Sequence, residues 1–203
     1  DAFVATCTEL GIEVVNEEGY ASGDVDFRSQ LTNIQSKDPD VIFAPSSITT
    51  APLIIKQARE LGITAPIMGG DTWENATIIE NAGADAEGIV LSTFFDEAEP
   101  ATDEAASFIE GFKEYLVEND QDDIIPAVSA LGYDAYITVL EAIKAAGSTE
   151  GPAIRDALTG VDVVGVTGSI SFDVTGDANK DMAFIKTVEN GAFKFLMTVS
   201  VAE

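Results

Sequence analysis

The chain has 203 residues, of which 46% are hydrophobic, and these values are typical of a globular protein with a substantial core. Its 36 acidic residues against 10 basic ones give a net charge of −26, which opposes binding to nucleic acid and to anionic membrane surfaces. The acidic residues are spread along the sequence instead of forming one run, which favours a solvated surface, including one suited to a salty environment.

Several residue types that often carry chemistry are rare or missing. The chain has one cysteine, Cys7, and no histidine, so it cannot form an internal disulfide or a cysteine-rich or histidine-rich metal site. No apolar stretch approaches the roughly 20 residues that span a bilayer. We therefore predict no metal, no cofactor and no membrane span in this chain.

The first half of the sequence alternates helix and strand patterns. A helix carrying Phe3, Cys7 and Leu10 on one face ends at Gly11, and an apolar strand is predicted at Ile12–Val15. Further helices are predicted around residues 27–34, 49–62 and 72–83, and further strands at 41–44, 66–68 and 88–95. Strands and helices that alternate at this spacing indicate an α/β fold with a doubly wound parallel sheet.

The pattern changes after Phe95. An acidic loop leads into three successive helices, the first around Phe108–Leu116, the second at Ala127–Ala146 and the third at Pro152–Leu158. The tail then shows period-two patterning, with Glu189-Asn190-Gly191 as a hairpin turn. We therefore predict that residues 96–179 belong to a different lobe from residues 1–95 and 180–203.

Candidate ligand contacts follow the predicted strands, because open α/β sheets bind ligands at the carboxyl ends of their strands. The three loops there read PSSITT, GGDTW and FFDEAEP. Ser46, Ser47 and Thr49 supply hydroxyls, Asp71 supplies a negative charge and Trp73 supplies an aromatic wall. Such a set suits a cation or an ammonium group.

Each of these residues also has a structural interpretation. The hydroxyls are expected of an ordinary loop and of an N-cap on the next helix, and Trp73 is expected of core packing. Asp71 is expected of a cap on the helix after it as much as of a ligand contact. The Gly69-Gly70 pair fits neither a Walker motif nor a dinucleotide fingerprint. No nucleophile elbow, cysteine–histidine dyad or zinc-protease motif is present, so we predict no catalytic residue and no enzyme.

Five stretches, in this order and spacing, resemble one family. GDVDFRSQL, DPDVIFA, IIKQARELGITAPIMGGDTW, ALGYDAYITVLEAIKAAGS and GVTGSISFD are similar to the substrate-binding proteins of branched-chain amino acid ABC transporters, the leucine/isoleucine/valine-binding type. The similarity runs over essentially the whole chain. It implies a two-lobed type 1 periplasmic-binding-protein fold in which residues 1–95 and 180–203 lie in the C-terminal lobe and residues 96–179 return to the N-terminal lobe. Most of the N-terminal lobe, with a signal peptide and a lipid-anchored cysteine, would then be missing from this chain.

The resemblance also implies a function. Such a protein, periplasmic or extracellular, clamps an amino acid or similar small ligand between its lobes and delivers it to a membrane permease. The resemblance assigns Asp71 to the ligand's α-ammonium. Many members carry an aromatic residue where this sequence has Ser46-Ser47, and the smaller side chains leave room for a larger, aromatic or more polar ligand. A sensory or regulatory ligand-binding domain on the same fold is the main alternative, while an enzyme such as an amidase has only the versatility of the fold behind it.

Overall fold

The structure, a computed structural model, describes residues 2–121 and 123–200. Residues 201–203, the end of the predicted segment 180–203, lie outside the described part. The contacts divide the chain into two compact units, Asp1–Leu91 with Thr187–Phe193, and Ser92–Lys186 with Lys194–Glu203. No helix among the described residues combines the length and apolar character needed to cross a membrane.

The first unit contains the alternating helices and strands. Its helices are α1 (Ala2–Glu9), α2 (Arg28–Gln35), α3 (Ala51–Glu60) and α4 (Ala76–Ala82), and the strands that begin in its first segment are β1 (Ile42–Phe43), β2 (Ile67–Gly69) and β3 (Val90–Thr93). These strands are parallel, with Phe43 opposite Met68 and Gly69 opposite Leu91. The predicted parallel sheet is therefore confirmed here, although β1 and β3 are shorter than the strands predicted at 41–44 and 88–95.

Local sequence signals explain where the helices of this unit begin and end. Pro52 stands in the first turn of α3, where its missing N–H costs nothing, and Gly62 follows the helix with a φ of 77°. Gly11 ends the first helix in the same way, with a φ of 71°. Both helix ends agree with the sequence prediction.

A single apolar core holds the first unit together. It joins residues of α2, α3, α4 and the three strands, and it includes the side chain of Trp73. The fully buried members include Ile55, Ile67, Ile78, Ile89 and Leu91. Because the helix faces and the strands meet in this core, the turns at the carboxyl ends of β1 and β2 are held firmly.

Two predictions for the first unit are wrong. Ile12–Val15 carries no regular structure, and its apolar side chains remain exposed, Ile12 by 52%. A strand needs a hydrogen-bonding neighbour, and none of the described strands pairs with this segment. The helix predicted at 72–83 begins only at Ala76, because a 3-10 turn, Asp71–Trp73, comes first.

The second unit begins with the three successive helices that the sequence predicts. These are α5 (Asp103–Glu118), α6 (Ala127–Ala146) and α7 (Gly151–Leu158), and they are followed by the strands β4 (Asp162–Gly165), β5 (Gly168–Phe172) and β6 (Ala178–Asn179). The last two strands, β7 (Met182–Glu189) and β8 (Ala192–Ser200), belong partly to each unit. Its core joins Phe95, Leu116, Ile125 and Val166 to small residues of α5 and α6.

The strands form two sheets. One has the order β1-β2-β3-β7-β8, and the other is a separate antiparallel sheet with the order β4-β5-β6. The predicted hairpin between β7 and β8 is confirmed, since Asn190 and Gly191 adopt φ values of 55° and 73° as a type I′ turn requires. The period-two pattern of the tail predicts strands but does not predict the second sheet.

A buried carboxylate holds the tight turn between β4 and β5. Asp134 on α6 is 3% exposed and accepts the N–H groups of Val166 and Thr167, each at 2.7 Å, and the Thr167 hydroxyl at 2.6 Å. A Cβ on Gly165 would lie 2.5 Å from this carboxylate, so glycine is required there. The Lys180 ammonium donates to the Thr167 carbonyl at 3.1 Å, and burial lowers the pKa of Lys180.

Candidate functional site

The carboxyl ends of β1 and β2 lie side by side, as the sequence predicts. The Ala44 N–H donates to the Met68 carbonyl at 2.8 Å, which aligns the two strands where they end. Beyond this point the Thr72 hydroxyl donates to the Ser46 carbonyl at 3.1 Å. The turns that carry Ser46 and Asp71 are therefore joined directly.

Trp73 is part of the core beneath these turns. Its side chain is fully buried, and its Nε1–H donates to the Ser46 hydroxyl oxygen at 3.3 Å. A Cβ on Gly69 would overlap the indole ring, so only glycine allows the ring to sit against the strand. This arrangement favours the packing interpretation of Trp73 and gives Gly69 a definite role.

Asp71 stands at the start of the 3-10 turn with an exposed side chain. Its Oδ1 accepts the N–H of Thr72 at 2.9 Å. The interpretation of Asp71 as the cap of the next helix is wrong, because Asn75 is the N-cap of α4 and accepts the Thr77 N–H at 2.9 Å. A carboxylate has about four acceptor positions, so Asp71 retains capacity for a donor from a ligand.

The remaining predicted hydroxyls bond to one another at the start of α3. The Ser47 hydroxyl lies 3.0 Å from the hydroxyl oxygens of Thr49 and Thr50, and it accepts the Thr50 N–H at 3.3 Å. Ser47 and Thr49 thus stabilise the turn that precedes α3, but the expected side-chain cap is wrong, because the N-cap residue of this helix is Thr50 and it makes no side-chain cap hydrogen bond. Both side chains are also exposed, so each keeps an unused face.

An open cleft of about 500 Å³ adjoins these hydroxyls. Ser47, Thr49, Thr50 and Leu53 line one side of it, and the loop Tyr20–Val25 supplies residues to the other. Gln57, which is buried, anchors this loop by accepting the Phe27 N–H at 2.6 Å and donating to the Val25 carbonyl at 2.8 Å.

The sequence prediction missed Tyr20 and Asp24 as lining residues of this cleft. The only local signal for them is the turn between Gly19 and Gly23, the latter with a φ of 94°. Asp26 follows this loop directly. Its pKa is lowered, chiefly because its carboxylate accepts the Arg28 N–H. The cleft therefore combines an aromatic ring, a carboxylate and hydroxyls.

The third predicted loop, FFDEAEP, belongs to the second unit. Asp96 in this loop is buried and forms an ion pair with Lys186 at 2.9 Å, so its carboxylate already has a cation. Among the residues that the structure describes, no group of three or more acidic or cysteine side chains is arranged to hold a metal ion.

Sequence comparisons place the chain among known proteins. The family model described as periplasmic binding protein matches residues 1–192. The Leu/Ile/Val-binding protein BraC3 of Rhizobium johnstonii is 32% identical over 182 residues, which make up 87% of this chain and 47% of that protein. The chain spans about half the length of the curated relatives it matches.

Solved structures give the same result. The leucine-binding protein LivK of Thermotoga maritima is 33% identical and superposes with a TM-score of 0.84, covering 98% of this chain and 55% of that one. The branched-chain amino acid substrate-binding protein LivJ of Streptococcus pneumoniae, in complex with isoleucine, is 30% identical with a TM-score of 0.74 and the same coverage.

Proposed function

Because the chain belongs to the periplasmic binding protein family, we propose that the protein is a solute-binding protein that captures an amino acid or similar small ligand and delivers it to an ABC transporter. The ligand binds between two lobes, and its release feeds the permease subunits in the membrane. This function is favoured over a sensory or regulatory domain because LivJ is named as a branched-chain amino acid transporter substrate-binding protein.

The observation that carries the proposal is the similarity to a leucine-binding protein across nearly the whole chain. A TM-score of 0.84 together with 33% identity supports more than a shared fold. The proposed role of the protein is binding without turnover. Its proposed location is the periplasm or the cell exterior, with lipid anchoring as a further expectation for the intact protein.

Asp71 is the residue proposed to receive the ligand's α-ammonium. It lies at the carboxyl end of β2, it is exposed, and it is not occupied as a helix cap. A charge-assisted hydrogen bond of this kind contributes about 1.5–3 kcal/mol. Ser46, Ser47 and Thr49 are proposed as neighbouring contacts, and Trp73 as the support beneath them.

The test is isothermal titration calorimetry of the full-length protein against the amino acids, with aromatic and polar members as well as the branched-chain ones. We expect at least one ligand to bind at micromolar affinity or tighter. Asp71→Ala should weaken that affinity by about two to three decades, since truncating one partner of a charged pair costs about 2–5 kcal/mol.

Asp40→Ala is the matched control. Asp40 is equally exposed and belongs to the same unit, but it precedes β1 and so stands at the opposite end of the strand from Ser46. We expect this variant to bind like the parent. Unchanged affinity in Asp71→Ala would reject the ammonium role, and a protein that binds none of the amino acids would reject the proposed ligand class.

A further inference from the structure

The acidic residues are concentrated on the surface of the described part of the chain. Only two of them, Asp96 and Asp134, are buried there, and each has its own partners, Lys186 for the first and backbone N–H groups for the second. Most of the others are exposed. Since Lys186 is also buried, the exposed surface has even fewer cations than the 10 basic residues of the chain suggest.

Helix α5 shows what this imbalance does locally. Glu110, Glu114 and Glu118 are exposed and follow one another at intervals of four residues, so they form a row of like charges on one helix face. Glu118 also ends the helix, where the backbone carbonyls already carry partial negative charge, and the last turn contains no basic residue.

The one lysine of this helix forms no ion pair with these three glutamates. Lys113 directs its ammonium to Glu97 at 3.5 Å and to Asp123 at 3.4 Å, both of which lie outside the helix. Among the residues that the structure describes, none of these three glutamates forms an ion pair, so solvent ions are left to offset the charge of the row. In dilute salt, the fold must tolerate this repulsion.

We infer that the protein folds and works in concentrated salt, where monovalent cations screen its acidic surface. Side chains four residues apart on a helix are separated by about 5–6 Å. The screening length is about 10 Å at 0.1 M salt and about 3 Å at 1 M, so the repulsion along α5 persists in the first condition and is suppressed in the second. This inference is independent of the ligand and of the proposed function.

The first test is thermal unfolding of the full chain, followed by circular dichroism, in 0.1 M and 2 M KCl. We expect the Tm to be higher by about 10 °C or more in 2 M KCl, because self-repulsion destabilises a compact state of high net charge. Sucrose of equal osmolality is the control, since it strengthens apolar burial without screening charge. An equal Tm in both salt concentrations, or an equal rise in sucrose, would overturn the inference.

A pair of variants on α5 tests the electrostatic cause directly. Glu118→Gln removes a charge from the end of the row, and we expect it to raise the Tm by about 1–2 °C in 0.1 M KCl but not in 2 M KCl. Glu104→Gln removes an equally exposed charge from the first turn, where an acid is favourable, and should give no rise. If Glu118→Gln is no more stabilising than Glu104→Gln in dilute salt, repulsion along this row is not the cause of the salt dependence of the Tm.

Discussion

Two aspartates at turns of the two units behave in opposite ways. Asp134 in the second unit is buried, and three donors from a single tight turn occupy its carboxylate. Asp71 in the first unit is exposed, and its carboxylate accepts the N–H of the next residue. Asp134 therefore uses its acceptor capacity to hold the fold, whereas Asp71 keeps capacity that a ligand can use.

The comparison shows that an acid beside a glycine-rich turn is not a functional signal by itself. Gly165 makes room for the Asp134 carboxylate, just as Gly69 makes room for the Trp73 ring. In both places the glycine serves packing. What distinguishes the candidate ligand residue is the number of donors that the protein itself already supplies.

Removing the buried carboxylate should have the largest effect on stability. Asp134→Ala leaves the N–H groups of Val166 and Thr167 buried without an acceptor, and we expect it to lower the free energy of unfolding by about 3–5 kcal/mol. Urea denaturation measures this loss. Asp71→Ala, measured in the same way, should change the value by no more than about 0.5 kcal/mol. Losses of similar size in the two variants would remove the distinction between these aspartates.

The second prediction concerns the glycine pair before Asp71. Gly69→Ala forces a methyl group into the Trp73 ring, and we expect a loss of about 2–3 kcal/mol in the free energy of unfolding. Gly70→Ala is the matched control, because Gly70 has a φ of −98° and no atom lies within 4 Å of the position that a Cβ would take there. Gly70→Ala should change the free energy of unfolding by no more than about 0.5 kcal/mol. Equal tolerance of both substitutions would show that the ring does not need the space that Gly69 leaves.

The smallest expected effect is on a third aspartate, Asp173, which is half-buried and, like Asp134, accepts several hydrogen bonds from its own turn. Asp173 accepts the Thr175 hydroxyl and the N–H groups of Asp177, Thr175 and Gly176, in a turn of the second unit. These bonds, the Thr175 hydroxyl first, lower the pKa of Asp173. Its stabilising contribution is therefore present above the ordinary Asp pKa and is lost as the pH falls through the lowered pKa.

Carbon-13 NMR of the side-chain carboxyl groups tests this pKa. We expect Asp173 to titrate below the ordinary value of about 3.9. Thr175→Val should raise its pKa towards that value, and Thr175→Ser should leave it lowered because the hydroxyl is retained. A midpoint that does not respond to Thr175→Val would show that this hydroxyl is not the main donor.

The sequence predicts much of this fold because its signals are local. Three kinds of predicted feature depend only on nearby residues, and all are confirmed. They are the helix ends at Gly11 and Gly62, the strands β1 and β2, and the hairpin at Asn190-Gly191. Ile12–Val15 fails as a strand because pairing is not local. Its apolar pattern has no hydrogen-bonding neighbour among the described strands.

The candidate site also has features that the sequence predicts and features that depend on distant contacts. The position of Ser46 and Asp71 at adjacent strand ends follows from the parallel topology, which the sequence predicts. The burial of Trp73 against Gly69 and the anchoring of the Tyr20 loop by Gln57 depend on contacts between distant segments. The roles of the five predicted residues in ligand binding stay a prediction, and the calorimetric comparison of Asp71→Ala with the parent tests the role of Asp71.

The fluorescence of the single tryptophan can report on the candidate site. No other indole contributes to the emission of the protein, and this one is fully buried with its Nε1–H bonded to Ser46. A ligand that draws Ser46 towards itself would weaken that bond and shift the emission wavelength. The protein thus carries its own fluorophore, hydrogen-bonded to the loop it would report on, and no dye needs to be attached.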